Sequence, residues 1–87
     1  MRSANVSEGD ALAQCVRHAR AERGLRQEDL ARAAGIGTST LRAIESGRGA
    51  GTSVFTVMRI LAVTGRTVHD LDQVFVAASQ RVAPSVR

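Results

Sequence analysis

Apolar residues recur at helical spacing in five blocks along the chain, and glycines separate most of the blocks. Leu12, Val16 and Ala19 form the first block, with Cys15 beside them. Ser7 followed by Glu8 and Asp10 supplies a capping hydroxyl and first-turn acids, and Gly24 suits the left-handed position after a helix end. The spacing predicts a second helix from Gln27 to Ala34, with Glu28 and Asp29 in its first turn and Gly35 as its stop. A third helix is predicted from Thr38 to Gly47, with Leu41 and Ile44 turned inward. Arg48 to Gly51 is a glycine-rich loop. Thr52 or Ser53 then caps a fourth helix with Val54, Val57, Met58 and Leu61 inward and Gly65 at its end. Thr67 with Asp70 resembles a capping box that starts a fifth helix carrying Val68, Leu71, Val74 and Phe75. Over residues 68–80 the spacing of Leu71, Val74, Phe75 and Ala78 favours a helix, while the run Val74-Phe75-Val76 also suits a short strand.

Five short helices joined by short links predict an all-α fold in one domain of 87 residues. Phe55 and Phe75 are the only aromatic residues, so Ala, Val, Leu and Ile must build the core. Small aliphatic side chains suit closely packed helices.

The window Gln27 to Ser46, QEDLARAAGIGTSTLRAIES, carries the most information. Two short helices crossing steeply about a tight turn need a residue that tolerates positive φ, a small side chain at the contact and apolar residues inward. Gly35 meets the first need, Ala31 the second, and Leu30, Ala34, Ile36, Leu41 and Ile44 the third. With Leu41 and Ile44 buried, Thr38, Ser39 and Arg42 lie on exposed faces near the start of the third helix. That end of such a helix enters the DNA major groove. Gln27 lies where the backbone amides of a helix N-terminus favour a phosphate.

Charge is compatible with this reading. The formal charge is +4, and all twelve basic residues are arginine, whose donor fork suits phosphates and base edges. A genome rich in G and C would also produce an Arg-rich chain, and Arg17, Arg23 and Arg32 read as solvated. A single cysteine, Cys15, excludes an internal disulfide and reads as a packing residue in a reducing cytoplasm. His18 and His69 have no metal-ligand spacing and read as surface residues. No nucleophile stands with a base, the glycines at 47–51 precede no lysine, and no stretch reads as a signal peptide or membrane helix. Neither an enzymatic activity nor a metal or cofactor is expected.

These residues resemble the Cro/C1-type (XRE) family of phage and bacterial repressors, over Leu12 to about Leu71. VRHARAERGLRQEDLA is similar to the family's opening, with Arg20, Gly24 and Gln27 in place. AIESG resembles the end of its third helix and TVMRILAVTG its fourth. The resemblance implies a compact five-helix, lambda-repressor-like DNA-binding domain with its helix-turn-helix at 27–46. Residues 10–80 would form the domain, with a flexible arm at 1–9, including Arg2, and a flexible tail at 81–87.

The resemblance also implies residue roles. Gln27 would bind a phosphate and brace the base-reading side chains, and Thr38 and Ser39 would read base edges. Arg42 would contact a base or a phosphate, and Ser46 and Arg48 would grip the backbone of double-stranded DNA. Arg20 and Glu45 would form an ion pair joining the first helix to the third. The chain departs from the family pattern at Arg26 and Gly37, where capping residues are usual, at Ala43, where a long polar reader is common, and at Thr64, where a core Leu is usual.

The function implied is a sequence-specific regulator, acting as a homodimer on a pseudopalindromic operator. The fifth helix and tail (Val68, Leu71, Val74, Phe75, Val76) are the expected dimer surface. No effector-binding domain is recognised, so ligand control would need a partner protein. Two alternatives stand beside this reading. The segment SVFTVMRILAVTG with its Val-containing tail is similar to HipB-type antitoxins, which bind a toxin and repress their own operon. The short side chains of Thr38, Ser39 and Ala43 also suit a protein-interaction module without DNA binding.

Overall fold

The structure, a computed structural model, describes residues 7–82 and the side chains of residues 7–77. Its elements in chain order are α1 (Glu8–Glu22), α2 (Gln27–Ala34), α3 (Thr38–Glu45), α4 (Val54–Thr64) and α5 (Val68–Val82). No strand occurs among the described residues, and the segment that also suited a strand is helical in α5. Arg2 and the tail from residue 83 lie outside the described residues.

The helix ends follow from local chemistry. Ser7 Oγ accepts from the Asp10 amide at 3.0 Å and caps α1. Gly35 ends α2 at φ 71°, a conformation that costs glycine little and other residues about 1–2 kcal/mol. Ser53, not Thr52, caps α4 by accepting from the Thr56 amide at 3.2 Å. Thr67 and Asp70 start α5 reciprocally: the Thr67 amide donates to Asp70 Oδ2 at 2.8 Å, and the Asp70 amide donates to Thr67 Oγ1 at 3.4 Å. The bonds that the Thr67 amide and hydroxyl donate to Asp70 Oδ2 hold the Asp70 carboxyl below its ordinary range. The third helix runs to Glu45 with Ser46 as its cap, and Gly47, at φ 94°, turns the chain out of it.

The core gathers residues from α1 to α4: Leu30, Leu41, Ile44, Ile60 and Val16 are its largest fully buried side chains. Ala31 is 1% exposed where α2 meets its neighbours, so the small side chain does admit close approach. Helix α1 packs against α3, α4 and α5, which explains why Ala11, Ala13, Cys15 and Ala19 are all buried along with Leu12 and Val16. Burial pushes the Cys15 thiol up, away from the reactive thiolate.

The face of α4 differs from the expected one. Val57, Ile60, Leu61 and Thr64 are buried, whereas Val54 is 61% and Met58 51% exposed. VFTVMRILAVT is apolar nearly all round, so two inward faces share the same i, i+3, i+4, i+7 spacing, and packing against α2 selects between them. Thr64 is accommodated without an unpaired hydroxyl, since its Oγ1 donates to the Ile60 carbonyl at 2.9 Å.

Two contacts set the position of α3. The first is an ion pair to α1: Arg20 Nε and Nη2 meet Glu45 Oε2 and Oε1 at 2.7 and 2.9 Å. Glu45 is only 4% exposed at its side chain. Gln27 Nε2 donates to the same carboxylate at 3.0 Å, Arg20 Nη1 donates to the Leu25 carbonyl at 2.9 Å, and Arg17 Nη1 donates to the Glu45 backbone carbonyl at 2.6 Å. Hydrogen bonds to Glu45 push the Arg20 guanidinium up despite the opposing effect of burial. The second contact is steric. Gly9, buried in α1, lies so close to the loop after α3 that an added Cβ would overlap the Gly47 carbonyl oxygen.

Removing one member of the buried pair strands the other. Glu45→Ala is expected to cost about 3 kcal/mol, the lower end for a buried pair because Arg20 is 23% exposed. Replacing both residues, as in Arg20→Met with Glu45→Leu, should cost less than Glu45→Ala alone, and urea unfolding of the wild type and these two variants measures this. Gly9→Ala should destabilise by about 1–3 kcal/mol through overpacking, despite alanine's better helix propensity. Equilibrium unfolding beside Gly35→Ala separates the two effects, because Gly35 has open space around it and its cost is backbone strain alone.

Candidate nucleic-acid interface

Helices α2 and α3 meet through Gly35, Ile36 and Gly37. Leu30, Ala31 and Ala34 of α2 and Leu41 and Ile44 of α3 are buried, and Ile36 of the turn is half-buried against them. Leu41 and Ile44 of α3 therefore face the core together with the buried Glu45, and the other positions line its outer side. Ser39, Thr40 and Arg42 are exposed, while Thr38 and Ala43 are half-buried. Gly37 offers no side chain to the first turn, so the leading amides of α3 lack a side-chain cap.

Arg26 cannot cap α2 in the ordinary sense, since a guanidinium has no acceptor. Asp29 makes half of the arrangement by accepting from the Arg26 amide at 3.2 Å. The same carboxylate binds Arg26 Nε at 3.2 Å and lies 3.7 Å from Arg32 Nη1. Hydrogen bonds from Arg26 hold it below the ordinary carboxylate range.

The arginines divide into two groups. Arg17 and Arg20 bind Glu45, Arg26 and Arg32 face Asp29, and Arg66 pairs with Glu22, tying the α4–α5 link to the end of α1. Arg17 is exposed, as expected, and its guanidinium also satisfies a carbonyl at the end of α3, where the helix dipole favours a cation. Arg32 is likewise exposed, with Asp29 beside it along the helix. Among the described residues, Arg23, Arg42, Arg48 and Arg59 have neither a carboxylate partner nor the carbonyl bond that Arg17 makes. Two of these four belong to α3 and the loop that follows it.

The remaining site residues fall into place around this face. Gln27 stands at the first position of α2, half-buried, with its amide turned to Glu45. Ser46 is exposed and its hydroxyl donates to the Ala43 carbonyl at 2.9 Å. Arg48 is exposed, and its backbone amide donates to the Ala43 carbonyl at 2.9 Å, which fixes the loop against α3. Arg20 and Glu45 lie behind the face and hold it from α1. Sequence reasoning missed the Arg17 bond and the close approach of Gly9, because the first depends on where the end of α3 lies against α1 and the second on where the loop after it passes.

Among the described residues, no three His, Cys, Asp or Glu side chains gather to hold a metal, and no helix is long and apolar enough to cross a membrane. A family model described as helix-turn-helix matches residues 16–71. No curated protein and no solved structure matches the chain. The matched stretch begins in α1, takes in the whole of α2, α3 and α4, and ends in α5 at Leu71. It therefore contains both the buried pair and the outward face of α3 with its loop, over more than half of the chain. The chain belongs to the Cro/C1-type helix-turn-helix family (the XRE family), a family of DNA-binding regulators.

Proposed function

We propose that this chain is a sequence-specific transcriptional repressor that binds a pseudopalindromic operator as a homodimer. The observation that carries the reading is the division of arginines. Carboxylates or a carbonyl engage Arg17, Arg20, Arg26 and Arg32, whereas Arg42 and Arg48, like Arg23 and Arg59 elsewhere, stand exposed without a carboxylate partner, and of these four only Arg42 and Arg48 lie on α3 and its loop. An exposed guanidinium beside short polar side chains suits a groove lined with base edges and flanked by phosphates.

In this reading Thr38 and Ser39 approach base edges, and Arg42 contributes the longest reach on the face. Ala43 is short, which concentrates discrimination on Arg42. Arg48 grips a phosphate from the loop. Gln27 keeps one N–H on Glu45 and offers the second, with the leading amides of α2, to a phosphate. Ser46 serves the backbone only by exchanging its bond to Ala43, because a phosphate oxygen needs its hydroxyl proton. One short helix reads few base pairs, so two copies on half-sites about one helical turn apart supply the discrimination.

A gel shift on DNA upstream of the protein's own gene, with unrelated competitor and at two salt concentrations, tests the reading. The complex should survive competitor and weaken with salt. Arg42→Ala should weaken operator binding by about 1–3 kcal/mol and relax specificity. Arg48→Ala should weaken specific and competitor binding alike and lower the salt slope by about one. Unchanged binding in both variants would contradict the proposal.

A further inference from the structure

The largest exposed apolar side chains lie away from α3. Val54 is 61%, Phe55 71%, Met58 51% and Val68 60% exposed. The first three share α4, and Val68, at the start of α5, lines the same shallow hollow as Met58, Leu61 and Ala62. The expected dimer surface on α5 is in part already covered. Leu71 packs on the core, and Val74 and Phe75 are half-buried in hollows they share with α1.

We infer that the outward face of α4 is a two-fold interface between copies of this chain. The proposal rests on the homodimer reading above and names the surface that forms it. The face is self-complementary. Phe55 projects at one end, and a hollow of about 180 Å³ beside Ala62 lies at the other. Phe55, Met58 and Ala62 stand at i, i+3 and i+7 and so share one side of the helix. When two α4 helices pack antiparallel about an axis between positions 58 and 59, each Phe55 falls opposite the Ala62 of the other copy and enters its hollow. Met58 then lies opposite the aliphatic stem of the other copy's Arg59, whose charged head reaches solvent at the rim. A partner of different sequence would have to supply both the knob and the hollow, whereas a second copy supplies both by symmetry.

The size of the face sets the expected strength. The four exposed side chains present about 400 Å² per copy, within the range of the largest apolar patches on small proteins. Two such faces with a polar rim bury about 1,200 Å² in total, at the lower end for specific association. The dimer without DNA is therefore weak, with a dissociation constant on the order of micromolar or above. Screening of the two Arg59 charges should tighten it with salt, opposite to the salt response of DNA binding.

Sedimentation of the DNA-free chain from about 1 to 500 µM tests the inference. The wild type should pass from monomer to dimer. Phe55→Glu with Met58→Glu should remain monomeric with an unchanged helical spectrum, and Val76→Glu on α5 should still dimerise. The chain contains no Trp or Tyr, so Phe55→Trp gives a single fluorophore whose emission should shift to the blue over the same range. A monomeric wild type, a dimeric Glu variant or an emission that ignores concentration overturns the inference. Binding of a single half-site separates this from the DNA reading: the Glu variant should retain it and Arg42→Ala should weaken it about 5- to 150-fold. Failure of half-site binding in every species would sink the DNA reading while sedimentation still decides the interface.

Discussion

Glu45 is a carboxylate almost removed from water, and such a group is tolerated only when its charge and its lone pairs are met. Arg20 and Gln27 meet them from α1 and α2, and Arg17 takes the backbone carbonyl of the same residue. Three side chains from two helices thus converge on the last residue of α3. Apolar packing of Leu41 and Ile44 holds that helix to the core but is non-directional. The bidentate pair fixes its rotation and slide as packing alone would not. Removing the pair while keeping the packing would leave a helix that is present but loosely aimed.

The same arrangement governs charge. In this small basic domain, guanidinium groups near the helix ends would compete with one another for any anion. The fold engages five of the described arginines internally or along their own helices, with Glu45, Asp29 and Glu22 as the acceptors. Of the four described arginines left without such a partner, Arg42 and Arg48 lie where α3 and its loop face outward, while Arg23 ends α1 and Arg59 lies on α4. The surface that contacts DNA in our proposal is therefore defined as much by the arginines that are occupied as by those that remain.

Much of this was legible in the sequence where a single residue type decides the outcome. Gly35 ends α2 because few other residues adopt its φ, and Ser7 and the Thr67–Asp70 box start their helices through bonds three residues long. The inward pair Leu41 and Ile44 could be read because the residues between them are polar or small. The phase of α4 was not legible, since a helix apolar nearly all round contains two acceptable faces and only its neighbours choose. Arg17 and Gly9 were not legible either. One binds a carbonyl that any residue at 45 would present, and the other is required by a loop contacting α1 from far along the chain. The resemblance of AIESG and VRHARAERGL to a known family named both Arg20 and Glu45, where spacing alone would not have paired them.

The central claim is that the outward face of α3 and its loop is the DNA-contacting surface. Amide chemical-shift mapping of the nitrogen-labelled chain, titrated with a duplex from upstream of its gene, measures this surface directly. The account predicts that shifts concentrate at the start of α2, on Thr38 to Arg42 and on Ser46 to Arg48, leaving the fold otherwise unperturbed. Shifts confined to other surfaces, or a spectrum unchanged by DNA, would contradict it.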